Sequence, residues 1–276
     1  MKQCLKKVTK LNRKNDKPRL GLVLLGCNRF VGLGKGGCDG SYAERCEKRA
    51  KWICDTLKVD LNITYTDIIY DSDDIIDAME AFDRDRVDCV VALFMSWAQD
   101  FAWNRFLRDM RDVPVLYVHP IDKEVILGDT HDENSFTSFL FHAGLVGSLE
   151  ASGDNRRYAR RMFFNAVGTW DEIFARIKTF AYASHVRTIL KNSHFGLIDC
   201  YNEVMWSTYV DPYALFMKAG PELHFLSVAT LKDLISTVSN EKANEAVKKL
   251  WDRYEVLPGV DERKLLESVR ATIGLE

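Results

Sequence analysis

The chain has 276 residues, a length typical of one or two domains. Hydrophobic residues make up 47% of it, which is enough for a sizeable core. The formal net charge of −2 argues against a general nucleic-acid binder, and no apolar run reaches the roughly 18 residues that a membrane span needs. We expect neither nucleic acid nor a membrane among its partners.

Residues 1–18 are rich in lysine and lack the apolar stretch of a signal peptide, which predicts a flexible basic leader. The seven cysteines show neither zinc-ligand spacing nor a C-x-x-C motif. Because no signal peptide is present, we expect reduced thiols and a cytoplasmic location.

Apolar strand-like runs alternate with helical patterns through the first half of the chain. The predicted strands cover residues 19–26, 61–70, 87–95 and 113–118. Ser41 and Glu44 have the S-x-x-E spacing of a capping box at the start of a helix, and Asp71 is a second predicted cap. A further helix is predicted over 97–110. These strand–helix steps predict a parallel sheet with right-handed crossovers.

The second half shows the same alternation. Helices are predicted over 135–151, 170–190, 230–239, 241–254 and 262–273, strands over 162–167, 194–199 and 223–228, and a basic turn over 153–161. We therefore expect two successive Rossmann-like (flavodoxin-like) three-layer α/β domains with parallel sheets, residues 19–160 and 161–276, whose boundary lies within 119–165. We expect the last helix to lead into a third domain that is absent.

Candidate ligand-binding residues follow the predicted strands, because open α/β sheets bind ligands at the carboxyl ends of their strands. Ser96, Trp97 and Gln99 follow the third strand and offer a hydroxyl, an amide and an indole face on which a sugar can stack. The alternative for Trp97 is packing at the start of a helix. His119 follows the fourth strand, where it either faces a ligand or packs.

The loop after the first strand contains Gly32, Gly34 and Gly37 in a G-x-G-x-x-G pattern. In dinucleotide-binding folds such glycines let the backbone approach a pyrophosphate at a helix N-terminus. Here the pattern begins several residues after the strand and ends before the predicted helix cap. A flexible loop and a sugar-contacting loop therefore remain as alternatives.

Residue types that bind metals occur in two further places. His131, Asp132 and Glu133 lie in a polar loop without an H-E-x-x-H helix. A second set lies near two later strands: Asp199, Glu203, Glu222 and His224. The pattern does not indicate that either set converges on one ion, so we predict no metal site in this chain.

Several runs, taken in chain order, resemble the L-fucose/L-arabinose isomerase-like family. They are residues 87–98, 113–120, 147–149, 153–157, 167–172, 195–199, 201–203, 210–212 and 220–222. The resemblance extends from residue 19 to the end of the sequence. It consists of runs of similar residues in the same order along the chain, and it includes no short diagnostic motif.

The resemblance implies two Rossmann-like domains followed by a third, a cytoplasmic oligomer, and interconversion of aldoses and ketoses. In this family a divalent metal, usually manganese (Mn²⁺), binds the sugar oxygens while carboxylates move the proton. The family's metal ligands match no residue of this chain. Its amino-terminal domains help to build or cover a neighbouring subunit's active site. Strand-end position and the resemblance together predict these substrate-binding residues: Asn28, Arg29, Phe30, Ser96 and Trp97.

We therefore expect a sugar (aldose–ketose) isomerase-family protein of carbohydrate metabolism that lacks its carboxy-terminal metal-binding catalytic part. Such a chain is inactive alone or forms one part of a split enzyme. Its expected partners are a sugar substrate and either further copies in a homo-oligomer or a partner chain. Two alternatives stay open: a non-catalytic carbohydrate-binding or regulatory module, and a nucleotide-binding Rossmann domain that uses residues 32–37.

Overall fold

A computed structural model describes residues 17–122, 124–125, 128–129, 131–199, 201, 204–255 and 257–275. These residues form two compact units, which divide between Thr188 and Ile189. Of the predicted leader, residues 1–16 lie outside the described residues.

The first unit is built on a five-stranded parallel sheet. Its strands are β1 (Arg19–Leu25), β2 (Asn62–Thr64), β3 (Cys89–Phe94), β4 (Val115–Ile121) and β5 (Phe163–Thr169). They lie in the order β2-β1-β3-β4-β5, and every pairing is parallel. This is the strand order of flavodoxin-like doubly wound folds, so the predicted α/β class is confirmed for this unit.

The helices of the first unit are α1 (Tyr42–Lys58), α2 (Ser72–Asp85), α3 (Phe101–Asp109), α4 (Glu133–Phe141), α5 (Gly144–Tyr158) and α6 (Trp170–Lys191). Capping boxes start α1 at Ser41 and α2 at Asp71, as the sequence predicts. Each box satisfies backbone N–H groups that a helix start leaves unpaired. Every residue of β3 is buried, which is why this strand is a continuous apolar run in the sequence.

The strand predicted over 61–70 is much shorter in the structure. Only Asn62–Thr64 pair with β1, and the chain returns to the sheet at a single bridge between Leu25 and Ile69. Between them, the Asp67 carboxylate accepts the N–H of Ile68 at 2.7 Å. This local hydrogen bond satisfies a backbone N–H that has no neighbouring strand to bind among the described residues.

The single helix predicted over 135–151 is two helices, α4 and α5, separated at His142 and Ala143. A Cβ atom on Gly144 would lie 2.5 Å from the carbonyl oxygen of Phe94, so the start of α5 packs against the backbone at the end of β3. The basic turn predicted over 153–161 is mostly the last part of α5, which ends at Ala159 in a left-handed conformation (φ 45°).

The division between the units also differs from the predicted domain boundary within 119–165. Strand β5, expected to open the second domain, is the fifth strand of the first sheet and pairs with β4 from Val115–Phe163 to Ile121–Thr169. The intervening segment is therefore a crossover that carries α4 and α5, and the first unit includes most of α6.

The second unit contains a two-stranded parallel sheet of β6 (His194–Ile198) and β7 (Glu222–Leu226). Its remaining helices are α7 (Pro212–Lys218), α8 (Val228–Ser236), α9 (Asn240–Arg253) and α10 (Glu262–Leu275). The described residues of this unit form no third strand, so they do not show the three-layer domain expected over 161–276.

Two further properties of the described residues concern their helices and their cysteines. None of their helices is both long and apolar enough to cross a bilayer. Five cysteines carry free thiols: Cys27, Cys38, Cys46, Cys54 and Cys89.

Candidate functional site

Predicted site residues from two loops lie together at the carboxyl edge of the first sheet. The ring of Phe30, after β1, packs edge-on against Tyr42 with the centroids 5.6 Å apart. It also lies 5.9 Å from the ring of Trp97, after β3. Asn28 and Arg29 share the 3-10 turn Asn28–Phe30 and are exposed. We call Phe30 and Trp97 the aromatic patch.

Ser96 has a different position from the one expected for a substrate contact, because it is fully buried. Its hydroxyl donates to the carbonyl oxygen of Trp97 at 2.8 Å and is hydrogen-bonded to the Tyr42 phenol. The phenol accepts the N–H of Cys27 at 3.0 Å, and burial raises the pKa of Tyr42 far above its ordinary value. The neutral phenol therefore donates to Ser96, and this chain of bonds holds the two loops together.

Trp97 is fixed from two sides. Its indole Nε1 donates to the Glu150 carboxylate on α5, and its ring lies against Phe30. Helix α3 begins only at Phe101, so Trp97 precedes the helix instead of starting it. The indole N–H is therefore committed within the chain, and a ring face is what Trp97 offers to a ligand.

The glycine-rich loop uses its backbone for internal bonds. The N–H of Gly34 donates to Glu133 Oε1 at 2.9 Å, and the N–H of Glu44 in the first turn of α1 donates to the Ser41 side chain at 3.3 Å. A phosphate at a helix N-terminus depends on such N–H groups being available. Both positions are occupied by the chain's own oxygens, which disfavours the nucleotide-binding alternative.

The His, Asp and Glu residues that the sequence suggested as metal ligands have different partners in the structure. His131 Nδ1 lies 2.8 Å from Asp129 Oδ1, Asp132 caps α4, and Glu133 holds the glycine loop. In the second set Glu222 and His224 lie close together, with His194 as a third member that the sequence pattern did not indicate. Asp199 is not part of this group, and Glu203 lies outside the described residues.

A second cluster at the same edge of the first sheet was missed, because residues 119–134 resembled a simple connection. Asp122 directly follows β4, Trp170 directly follows β5, and His142 follows α4. Asp122 Oδ2 accepts from His142 Nδ1 at 2.8 Å and lies 3.5 Å from Arg49 Nη2. Asp122 Oδ1 accepts from Trp170 Nε1 at 2.8 Å. We call these four residues the Asp122 cluster.

The electrostatics of the Asp122 cluster fix the proton on His142. The hydrogen bond from His142, aided by the Arg49 charge and the Trp170 N–H, lowers the pKa of Asp122 to about 2. Because the carboxylate carries no proton at neutral pH, the proton of their shared bond is on His142 Nδ1. In the neutral imidazole the lone pair is then on Nε2.

The Asp122 cluster lines two adjoining clefts of about 440 Å³ and 450 Å³ that share Asp122 and Trp170. The first includes His142, and the second includes Arg49 and the half-exposed Trp52. The rings of Trp52 and Trp170 lie 4.9 Å apart, edge to face. The clefts therefore combine apolar ring surface with charged hydrogen-bonding groups.

No family model and no curated protein sequence matches this chain. The chemistry open to the Asp122 cluster follows from its geometry. A carboxylate that holds Nδ1 of a histidine leaves Nε2 ready to accept a proton, the arrangement of acid–base dyads.

The manganese ion implied by the resemblance does not fit the Asp122 cluster. Both oxygens of Asp122 are already bonded to donors, and no further His, Cys, Asp or Glu in the described part of the chain joins Asp122 and His142 to make a group of three ligands. The group that does form contains two imidazoles, whereas manganese favours oxygen ligands.

His119 lies within β4, not after it. It is buried, its ring contacts the edge of Tyr117 at 4.5 Å, and burial lowers its pKa. His119 is therefore neutral at neutral pH; it lines a cleft of about 420 Å³, and its buried Nδ1 has no hydrogen-bond partner among the described residues.

Proposed function

We propose that the first unit binds a sugar at the Asp122 cluster and that this binding serves aldose–ketose isomerisation, the activity implied by the sequence resemblance. The observation that supports the proposal is the 2.8 Å bond between Asp122 and His142 in a cleft at the carboxyl edge of a parallel sheet. That edge is where open α/β sheets bind small molecules.

The cleft has the groups that sugar recognition requires. A sugar presents hydroxyl groups around an apolar C–H face, so its sites pair aromatic rings with charged hydrogen-bonding side chains. Trp170 and Trp52 supply the rings, and Arg49 supplies a cation that packs 3.9 Å above the Phe141 ring. Because Arg49 is held in this way, little side-chain entropy is lost when it binds a hydroxyl group.

The Asp122–His142 pair supplies acid–base chemistry. Aldose–ketose isomerisation moves a proton between two neighbouring carbon atoms, so it needs a base that also returns the proton. His142 Nε2 has this capacity, and ionised Asp122 stabilises the imidazolium that forms. General acid–base catalysis of this kind contributes roughly 10²–10⁴-fold in rate.

In this proposal the aromatic patch serves a neighbouring subunit, as the resemblance implies. Assembly is supported by the apolar surface of the second unit, where Val204 is 81% and Tyr213 72% exposed. We therefore propose a homo-oligomer.

The test is sugar binding by the purified chain. Binding of L-fucose, L-arabinose and related sugars is measured by titration calorimetry. Asp122→Asn removes the charge of the cluster and Trp170→Phe removes one of its hydrogen bonds. We expect each variant to bind the sugar about tenfold more weakly, the effect of roughly 1.4 kcal/mol. Trp251→Phe, in the second unit, is the matched control and should bind as the wild type does.

Turnover is measured separately as ketose formation, with and without Mn²⁺. In an active assembly His142→Gln should abolish turnover while sugar binding remains. Binding of a dinucleotide instead of any sugar, or equal binding by all variants, would contradict the proposal.

A further inference from the structure

Three ligand-type side chains converge on one face of the small sheet in the second unit. His194 Nδ1 lies 3.1 Å from Glu222 Oε2 and 3.1 Å from His224 Nε2. His224 Nε2 lies 3.1 Å from Glu222 Oε2, which closes a triangle of nearly equal sides. We propose that His194, Glu222 and His224 form a zinc-binding site.

The strand register places these side chains together. Glu222 and His224 are two residues apart on β7, so their side chains share one face of the sheet. His194 on β6 is in register with Glu222, which puts it on that same face. The sequence signal is therefore E-x-H on one strand and a histidine at the paired position of the next.

The entry to β7 is constrained as well. Gly220 has φ of 104°, and a Cβ atom there would lie 2.6 Å from the Cα of Lys191. Only glycine fits this combination of backbone conformation and close approach. The N–H of Glu222 then donates to the carbonyl oxygen of Ser193 at 3.0 Å, which sets the register that the site needs.

The triangle has the dimensions of a zinc site. Zinc lies about 2 Å from histidine nitrogen and carboxylate oxygen, so an ion equidistant from the three atoms sits about 1 Å out of their plane, with angles of about 100° between ligands. These angles are close to tetrahedral. The side chains of His194, Glu222 and His224 are 34%, 50% and 46% exposed, so a fourth position faces solvent.

Hydrogen bonds alone account poorly for this geometry. Protons on both ring nitrogens that face the carboxylate would bring two N–H groups together at a nitrogen–nitrogen distance of 3.1 Å. If only one of the two ring nitrogens carries a proton, that proton is shared between the lone pair of the other nitrogen and the carboxylate oxygen. A cation at the centre satisfies all three atoms at once.

The donor set selects the type of metal. Two imidazoles and one carboxylate suit zinc and its transition-metal neighbours, whereas magnesium, calcium and manganese favour sites made of oxygen. Three protein ligands with an open fourth position is the pattern of zinc sites that bind water or a substrate, while purely structural sites have four protein ligands. The site uses no residue of the first unit and stands independently of the proposed sugar binding.

The experiment is zinc binding by the untagged full chain after treatment with a chelator. Calorimetry with ZnCl₂ should show one saturable site per chain, and MnCl₂ and MgCl₂ should bind more weakly. His194→Ala, His224→Ala and Glu222→Gln should each lower the zinc affinity at least about tenfold, because loss of even a supporting group near a metal costs that much. Circular dichroism checks that each variant is folded.

Two matched controls make the result specific. His131→Ala removes an exposed histidine that has one carboxylate partner, and Cys38→Ser removes an exposed thiol. Both should bind zinc as the wild type does. The proposal is overturned if the folded wild type shows no saturable zinc binding, if the three site variants bind like the wild type, or if Cys38→Ser abolishes binding.

Discussion

Replacing Asp122 by asparagine removes the charge that holds His142, Arg49 and Trp170 in the Asp122 cluster. The pKa of Asp122 is lowered from its ordinary value of 3.8 to about 2, and its side chain is 25% exposed. One pKa unit corresponds to about 1.4 kcal/mol, so after allowance for screening by solvent the ionised carboxylate stabilises the fold by about 1–2 kcal/mol.

The direction in which this stabilisation changes with pH follows from the lowered pKa of Asp122. Because the pKa of Asp122 is lower in the folded than in the unfolded chain, its contribution is complete above pH 3.8 and is lost as the pH falls through about 2. Asp122→Asn should therefore lower the free energy of unfolding by about 1–2 kcal/mol at pH 7. The difference from the wild type should shrink as the solution is acidified below pH 3.8.

The assay is urea unfolding of the wild type and the variant, monitored by circular dichroism, at pH values from 7 to below 3.8. Asp129→Asn is the matched control, because Asp129 also pairs with a histidine, His131, at 2.8 Å but lies on the exposed surface. We expect no measurable change from this control, as for most exposed ion pairs. A difference for Asp122→Asn that is absent at pH 7, or that stays constant on acidification, would refute the reasoning.

Two further predictions concern packing near the aromatic patch. Tyr42→Phe leaves a buried N–H and the Ser96 hydroxyl without their common partner, so unfolding by urea should show a loss of about 1–3 kcal/mol. Gly144→Ala forces a methyl group against the Phe94 carbonyl oxygen and should cost about 1–3 kcal/mol in the same assay. Gly153→Ala, in the same helix and with no atom within 4 Å of the new Cβ, should be neutral or stabilising.

Strands β1, β3 and β4 of the first sheet could be predicted because nearly all of their residues are buried. β1 and β3 are continuous apolar runs, and the capping boxes at Ser41 and Asp71 mark helix starts within a few residues. The place of β5 could not be predicted, since local patterning shows that a segment is a strand but not which sheet it joins. Its pairing with β4 bridges a crossover that contains two helices.

The two candidate sites of the first unit, the aromatic patch and the Asp122 cluster, also differ in how far the sequence could predict them. Phe30 and Trp97 lie in the loops after β1 and β3, so the rule for strand ends places both at the same edge of the sheet, where their rings are 5.9 Å apart. The Asp122 cluster is assembled from partners 73, 20 and 48 residues away from Asp122 along the chain. No short motif contains such a group. Asp122 itself follows β4, so applying the strand-end rule to the aspartate as well as to His119 would have found it.

Three of the groups of histidine and carboxylate among the described residues show that pairing alone does not define a role. His131 and Asp129 form an exposed pair that no third side chain among the described residues joins. Asp122 is half-buried and bonded to three donors, which fixes the proton of His142. Glu222 faces two imidazoles whose nitrogens approach each other as closely as they approach the carboxylate.

The number of donors around each carboxylate and its burial therefore lead to three different expectations. Asp129→Asn should leave sugar binding, zinc binding and stability unchanged. Asp122→Asn should lower sugar binding and stability but not zinc binding, and Glu222→Gln should lower zinc binding alone. Because each carboxylate→amide change removes one charge and little volume, a variant that alters a measurement assigned to another carboxylate would contradict the assignment of these carboxylates to different roles.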